Sequence, residues 1–465
     1  MTARVLSLLV ALAAGCAGSG EVHVSAPASS PAAAAPKASG ATAKAPSPEG
    51  DVDQVVAEAL EMVVAKRQLA ALSPVKSQVV PREDLVEQMK REVLTDLEPG
   101  LVRGITENLY ALGAVPADLD YERTILLVLG TQLAGYYDPR KKTMFLLDDL
   151  GSDGSAATLW HELVHALQDQ HYDLRPKLKW SPGRGDATTA IQCLAEGDAM
   201  SAMLDVMLAP QGQTALDLPE GVMGKSMGVI EALPEIESVP SILKRSLVAP
   251  YADGMTFVNA LRNKGGFAAV DAAWRDPPTT TEQILHPEKY ETREGALTVK
   301  PPPPPHAGPK SIVFQDVLGE QGLRFVLEEW MPLVTAAIAA SGWGGDQVAV
   351  FADAERRAVG MHVVLDDEAL AQRTFEAVVR GALAGEPEDR AGARPTTDPA
   401  QAAKLARLGR VCRERSRRGP FAAVRTGRDL GVALGPFRRE GPTTRSDGDC
   451  DAALRWAAAI AADKP

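Results

Sequence analysis

The chain has 465 residues and a formal net charge of −12, and these numbers already exclude some kinds of protein. A strong negative charge argues against nucleic acid as a partner. The apolar content of 45%, with much alanine, suits a helix-rich globular protein with room for two or three domains. Neither a phosphate-binding loop nor a dinucleotide-binding fingerprint occurs in the sequence.

Residues 1–16 have the pattern of an export signal. Arg4 precedes an apolar run of about ten residues, too short to span a bilayer, which ends in AAGC. Small residues directly before Cys16 resemble a bacterial lipobox, so we expect cleavage before Cys16 and a lipid on its sulfur. Plain secretory cleavage is the alternative, because alanine rather than leucine stands three residues before Cys16.

Residues 17–50 are mostly Ala, Ser, Pro, Gly and Lys and contain no aromatic residue. Such a segment cannot bury enough apolar surface to fold, so it is predicted to be a disordered tether. Together with the lipid on Cys16, this tether predicts a membrane-anchored protein of the bacterial cell envelope. The expected location is the outer membrane, or its periplasmic or cell-surface face.

The globular part begins at Asp51 with two or three predicted helices. The segment AGYYDPRKKTMFLLDD then reads as a β-hairpin, in which a turn at Asp138-Pro139 joins Tyr136-Tyr137 to a strand over Met144–Leu147. Its edge strand could hold an extended peptide by backbone pairing. A strand followed by a helix with histidines fits the order of elements in zincins.

The segment TLWHELVHALQDQHYDL is predicted to be a helix that binds a metal ion. His161 and His165 stand four residues apart, so their imidazoles lie about 40° apart on one face of a helix. Two imidazole nitrogens in that position can bind one Zn²⁺. Glu162 flanks the metal without ligating it and can hold a proton. This H-E-x-x-H pattern is typical of zinc peptidases, and a chance string on an amphipathic helix is the alternative.

A third ligand is needed, and two residues compete for that role. His171 occupies the position of the third histidine in metzincins, but Gln168 stands where their helix-breaking glycine should be. If the helix continues, His171 points away from the metal. Glu196 is the better candidate, because a carboxylate on so apolar a helix is costly unless it is paired or bound to a cation. The alternative is a partly exposed glutamate on an ordinary helix.

HELVHALQDQHYDL followed by CLAEGDAM resembles the zinc-binding core of uncharacterised bacterial metallopeptidases of the gluzincin type. AGYYDPRKKTMFLLDD and PPTTTEQILHPEKY resemble flanking segments of the same group. The resemblance covers about residues 118–290. It implies a zincin-like domain over residues 51–300, with His161, His165 and Glu196 as zinc ligands and Glu162 as general base.

One position departs from the thermolysin pattern. There, an aspartate four residues after the ligand glutamate orients a ligand histidine, but Met200 stands at that position here. Asp198 could take this orienting role only if the helix is irregular at Gly197.

A zinc peptidase usually also has a cationic imidazole or a tyrosine hydroxyl that faces the developing oxyanion. His286, at the end of a short predicted helix, is the first choice for this catalytic role. Tyr290 and Tyr251 follow. The alternative for His286 is a solvated helix end, where the helix dipole favours an imidazolium.

Beyond the polyproline segment PPPPPHAGP, the sequence predicts an accessory α+β region over residues 310–385 and a small hairpin–helix unit over residues 400–465. The accessory region is expected to start with two helices, SIVFQDVLGEQGLRFVLEEW and MPLVTAAIAASGWGGD. Cys412 and Cys450 flank the C-terminal unit and are predicted to form a disulfide in an exported protein. Cys193 is expected to be a small buried hydrophobe, although its place near Glu196 leaves a role as an alternative zinc ligand open.

Taken together, the sequence predicts a helix-rich α+β protein. The expected function is that of a membrane-tethered zinc hydrolase that cuts peptide or protein substrates with a zinc-activated water. The alternative is a non-catalytic envelope scaffold whose metal is structural or absent.

Overall fold

The computed structural model describes residues 52–85, 87–88, 91, 100–132, 135–148, 152–219, 236–384, 386, 398–441 and 443–463. The predicted export signal, the lipidation site at Cys16 and the tether lie outside these residues. Among the described residues, more lie in helices than in strands, and this confirms the predicted helix-rich α+β class. None of the helices in the described part of the chain is long and apolar enough to cross a membrane.

The first part of the chain forms a small sheet with helices around it. Its elements are α1 (Val52–Arg67), β1 (Lys76–Val80), α2 (Leu101–Leu112), α3 (Tyr121–Gln132), β2 (Gly135–Asp138) and β3 (Thr143–Leu147). The sheet has three strands in the order β1-β3-β2. β2 and β3 form the predicted hairpin, with Tyr136 opposite Phe145, and β1 joins β3 in parallel. The hairpin is well specified locally, because the Asp138 carboxylate accepts a hydrogen bond from the backbone N–H of Arg140 within its turn.

Among the described residues, three long and three short α-helices follow and form the part of the protein that carries the predicted metal ligands. They are α4 (Ser152–Tyr172), α5 (Leu174–Lys177), α6 (Gly185–Leu208), α7 (Ser241–Arg275), α8 (Thr281–Leu285) and α9 (Pro287–Glu291). α4 has no Gly or Pro from Ala156 to Tyr172, and its apolar stripe, which includes Leu163 and Leu167, is fully buried. α6 is buried almost all round, as its run of alanine, leucine and methionine leads one to expect.

The rest of the chain folds around a second sheet. Its elements are β4 (Ser311–Asp316), α10 (Gly319–Glu328), α11 (Leu333–Ala340), β5 (Trp343–Ala352), β6 (Arg356–Leu365), α12 (Glu368–Leu383), α13 (Pro399–Ala406), β7 (Arg410–Arg413), β8 (Phe421–Thr426), β9 (Asp429–Glu440), β10 (Thr443–Ser446) and α14 (Cys450–Ala462). The strand order is β4-β5-β6-β9-β8-β7, with β10 on β9, and neighbouring strands are antiparallel.

This second sheet differs from the prediction in two respects. Residues 310–385 and 400–465 were expected to be separate units, but β6 pairs with β9, so their strands share one sheet. Moreover, Ser311–Asp316 is strand β4 rather than the start of a helix. This stretch pairs with β5 along its length, and such long-range hydrogen bonding outweighs a local apolar spacing that also fits a helix.

The C-terminal hairpin and helix form as predicted. β8 and β9 are joined by a tight turn in which Gly427 has a φ of 61°, a conformation that favours glycine. Cys412 in β7 and Cys450 at the start of α14 form the predicted disulfide, with their Cα atoms 5.8 Å apart. The disulfide therefore holds the last helix against the sheet.

Candidate metal centre

The two histidines of HELVH meet on one face of α4. The Nε2 atoms of His161 and His165 lie 3.0 Å apart, with the rings nearly perpendicular at 83°. The helix is continuous through both residues, so the i, i+4 spacing alone brings them together. Both Nε2 atoms point to the same place, as the binding of one cation requires.

Glu196 reaches the same place from α6. Its Oε2 atom lies 3.1 Å from Nε2 of His161 and 3.5 Å from Nε2 of His165. Bonds of about 2.0–2.1 Å to a tetrahedral zinc place two ligand atoms about 3.3–3.4 Å apart. The three atoms thus form a triangle of nearly that size, which makes this group a candidate metal centre.

The site is buried, and this burial distinguishes it from an ordinary surface ion pair. His161, Glu162 and Glu196 have no exposed surface, and His165 is 2% exposed. Within the described part of the chain, Oε1 of Glu196 has no hydrogen-bond partner. A buried carboxylate oxygen without a partner costs about 1–3 kcal/mol or more, a cost that a bound cation would remove. The residues present therefore fit a divalent cation.

The charges of the three side chains also favour a cation. Burial lowers the pKa of His161 to about 4, so this imidazole is neutral and offers its lone pair. Burial acts on His165 in the same direction, but the Glu196 carboxylate outweighs it and raises the pKa of His165 to about 9. Without a metal, His165 therefore carries the additional proton of an imidazolium, while His161 is neutral. A cation would take the place of that proton.

Glu162 is placed beside the group by the small sheet. Its Oε2 atom accepts a hydrogen bond of 2.8 Å from the backbone N–H of Tyr137 in β2. Its charge contributes to the raised pKa of His165, so the two side chains are close enough to interact. This hydrogen bond also limits the predicted pairing of the edge strand with a peptide. The backbone N–H of Tyr137 already donates to Glu162, so it cannot donate to a peptide at the same time.

The other candidates for metal ligand lie elsewhere. His171 is hydrogen-bonded through Nε2 to the carbonyl oxygen of Ala70, at 2.7 Å, and is not part of the group. This is the outward direction expected of a helix that continues past Gln168. Cys193 is buried with its sulfur 3.8 Å from Nε2 of Gln321, and it too lies outside the group.

The structure arranges the candidates for the oxyanion role differently from their predicted order. His286 is engaged with Glu320, at 3.0 Å from Nε2, and is not brought to the metal group. The hydroxyl of Tyr290 donates to the carbonyl oxygen of Asp276. Tyr251, which the sequence offers after His286 as an alternative to Tyr290, stacks on His161 with ring centroids 6.0 Å apart and an interplanar angle of 27°. Among these three residues, Tyr251 is the one that contacts a predicted ligand.

A second cluster of carboxylates already has a cation of its own. Glu282, Glu294 and Asp366 lie close enough together to hold a metal ion. However, the ammonium of Lys289 contacts all of them, at 2.5, 2.9 and 3.1 Å respectively. This cluster is therefore an ion-pair network and not a metal site.

Comparison with known proteins gives one partial match, to a domain of unknown function (DUF8575) over residues 310–436. The matched segment runs from the start of β4 into β9, so it contains neither the histidine helix nor Glu196. No curated protein and no solved structure matches the chain. The candidate metal centre thus lies in a part of the chain that these comparisons do not reach.

Proposed function

We propose that the protein is a zinc-dependent hydrolase with a zincin-like catalytic part, and that it cuts peptide bonds. The observation that carries this proposal is the triangle of ligand atoms from His161, His165 and Glu196, with sides of 3.0, 3.1 and 3.5 Å. Three protein ligands leave one position of a tetrahedral zinc open, as catalysis requires.

In the proposed mechanism, the zinc ion and the side chains of the protein have different roles. A zinc ion held there would acidify a water molecule and polarise a scissile carbonyl. Glu162 is the residue that would accept a proton from such a water on its carboxylate and pass it to the leaving amine. The N–H of Tyr137 holds one carboxylate oxygen of Glu162 and so fixes the direction of the other. Of the three oxyanion candidates, we assign this role to Tyr251, because its ring stacks on that of His161.

One observation favours the alternative of a scaffold with a structural metal. The three ligands and Glu162 are between 0% and 2% exposed, as in a closed site. Against this, structural zinc sites almost always have four protein ligands, and the group here has three. The glutamate beside the ligands is also not needed in a scaffold.

Attachment to the bacterial cell envelope is part of the proposal and rests on residues 1–50. The apolar run that ends at Cys16 supports a lipid anchor, and the tether would let the folded part reach substrates near the membrane. Replacement of Cys16 by serine should release the protein from the detergent phase in a detergent-partition experiment. Continued partition of the serine variant into detergent would argue against lipidation.

The variant Glu162→Gln distinguishes the proposed hydrolase from the alternative of a non-catalytic scaffold. Glutamine keeps the size of the side chain and can still accept the N–H of Tyr137, but it cannot take up a proton. We expect unchanged zinc content and melting temperature, and a loss of about 10²- to 10⁴-fold in the cleavage of a broad peptide library. The matched control is Glu61→Gln, an exposed glutamate of α1.

The outcomes of this experiment are distinct. Equal activity of Glu162→Gln and the wild type would contradict the proposed mechanism. A wild type that binds zinc but cuts no peptide in the library would favour the scaffold.

A further inference from the structure

We propose that Gln168 is a positioning residue of the metal site: it sets the tautomer of His165, and Asp198 and Arg67 hold it in place. This inference rests on the proposed zinc site. It assigns a role to the residue that stands where metzincins have a glycine.

The surroundings of Gln168 determine the orientation of its amide. Nε2 of Gln168 lies 3.0 Å from the carbonyl oxygen of Ala195 and 3.0 Å from Oδ2 of Asp198. Both partners accept hydrogen bonds, so the NH₂ group must face them. Oε1 of Gln168 therefore faces Nδ1 of His165, at 2.8 Å.

This orientation in turn determines the tautomer of His165. An amide oxygen can only accept, so Nδ1 of His165 must carry a proton and donate it to Gln168. The lone pair that can bind a metal is then on Nε2, the atom that faces His161 and Glu196. Hydrogen bonds of this kind fix the ring of a ligand histidine in many metal sites. Here the acceptor is a neutral amide instead of a carboxylate.

Asp198 accepts a hydrogen bond from the amide of Gln168 and is itself held by two further donors. Its Oδ1 accepts from Nε of Arg67 at 2.5 Å, and its Oδ2 also accepts from the indole N–H of Trp274 at 2.9 Å. Asp198 thus has donors on both oxygens. Arg67 is fully buried and also pairs with Asp271 through Nη2, at 2.7 Å.

These hydrogen bonds connect four helices next to the predicted metal ligands. Gln168 lies in α4, Asp198 in α6, Trp274 in α7 and Arg67 at the end of α1. α6 is helical throughout, so Asp198 does not depend on an irregularity at Gly197 to reach the site. It acts on His165 through Gln168. The last residue of the first helix is therefore coupled to a metal ligand.

The first measurement uses the unaltered protein. The full chain is labelled with ¹⁵N-histidine and loaded with zinc, and the ring nitrogens are assigned by comparison with His165→Gln. We expect the Nδ1 of His165 to carry the proton and its Nε2 to show the shift of a metal-bound nitrogen. A His165 ring with its proton on Nε2 and its metal on Nδ1 would overturn the proposal.

The second measurement is zinc affinity, determined by competition with a chelator. Gln168→Leu removes the amide at similar size and should weaken zinc binding by about 10- to 100-fold. The matched control is Gln170→Leu. This nearby glutamine also makes structural hydrogen bonds, to the backbone N–H groups of Leu72 and Ser73, but none to the site. The control should keep wild-type zinc affinity.

A double-mutant cycle tests whether Asp198 acts through Gln168. Asp198→Asn should weaken zinc binding in the wild-type background, and should add less than about threefold in the Gln168→Leu background. Equal losses in both backgrounds, or wild-type affinity of Gln168→Leu, would overturn the inference while leaving the zinc site intact. Failure of the wild type and of Gln170→Leu to bind zinc would instead contradict the proposed function.

Discussion

Gly197 and Gly254 touch where α6 crosses α7. A Cβ atom added to Gly197 would lie 2.1 Å from the carbonyl oxygen of Gly254, and one added to Gly254 would lie 2.0 Å from the carbonyl oxygen of Cys193. Only two glycines allow the helices to approach this closely. The contact is one residue from Glu196, and it brings Tyr251 of α7 over His161.

Gly197→Ala should therefore be destabilising, although alanine is the better helix former. The gain in helix propensity is at most about 1 kcal/mol, whereas overpacking costs about 1–3 kcal/mol and here meets backbone atoms that cannot turn aside. We expect a lower urea midpoint and weaker zinc binding, because Glu196 must move with the helix. Gly295→Ala is the control, since a Cβ atom there has no neighbour within 4 Å. If Gly197→Ala had wild-type stability, α6 and α7 could not be as close at Gly197 and Gly254 as these distances indicate.

Two buried aspartates near the first turn of α6 predict a pH dependence of stability. Burial raises the pKa of Asp186 to about 7 against the hydrogen bonds that it accepts from Thr281. Burial likewise raises the pKa of Asp346 to about 7 against the backbone N–H groups of Leu318 and Gly319. A raised carboxyl pKa means that the folded state binds a proton that the unfolded state has released. The free energy of unfolding should thus fall as the pH rises from about 4 to about 7.

The variant Asp186→Asn measures the contribution of Asp186 to this pH dependence of stability. The amide oxygen can still accept from Thr281, but the side chain no longer titrates. The variant should lose less stability than the wild type between pH 5 and pH 8, by on the order of 1–3 kcal/mol, since one pKa unit corresponds to about 1.36 kcal/mol. Urea unfolding at several pH values measures this difference. Parallel pH profiles for the two proteins would contradict the assignment.

The disulfide should stabilise the part of the chain that contains β7 to α14. Cys412 and Cys450 are 38 residues apart, and closing a loop of that length restricts the unfolded chain by about 4 kcal/mol in the chain-entropy model. Reduction should lower the urea midpoint. The variant with both cysteines replaced by serine is the control, because reductant should not change its midpoint. An unchanged midpoint of the reduced wild type would show that the disulfide does not contribute.

The candidate metal ligands could be proposed from sequence because each signal is local. His161 and His165 are one helical turn apart, and Glu196 stands out as a carboxylate on an apolar helix. The residues behind them could not be found in this way. Arg67 and Asp198 are 131 positions apart, and nothing near Arg67 in the sequence indicates that its partner is buried near the candidate ligands. In the sequence, Gln168 indicates only that the helix continues where metzincins have a glycine, and the contacts of its amide arise from the fold.

The same reason explains the differences in fold. The β2–β3 hairpin and the final helix can be predicted because their signals are local: the Asp138-Pro139 turn joins the two strands, and the mostly apolar run CDAALRWAAAIAA contains no Gly or Pro. The pairing of β6 with β9 joins residues more than sixty positions apart, such as His362 and Gly431, and no local pattern specifies it. β4 is an edge strand with its first three residues exposed, so its sequence lacks the alternation of a half-buried strand. His286 illustrates the same limit, because its partner Glu320 belongs to a different part of the chain.

The most direct test of the account is the zinc content of the purified full-length chain and of two variants. Elemental analysis after exhaustive dialysis should find one zinc per chain in the wild type and in His171→Ala, and none in Glu196→Ala. The His171 variant serves as the control, because its imidazole is bound to the backbone of Ala70. Zinc retained by Glu196→Ala and lost by His171→Ala would contradict the ligand set described here and favour a metzincin-like site.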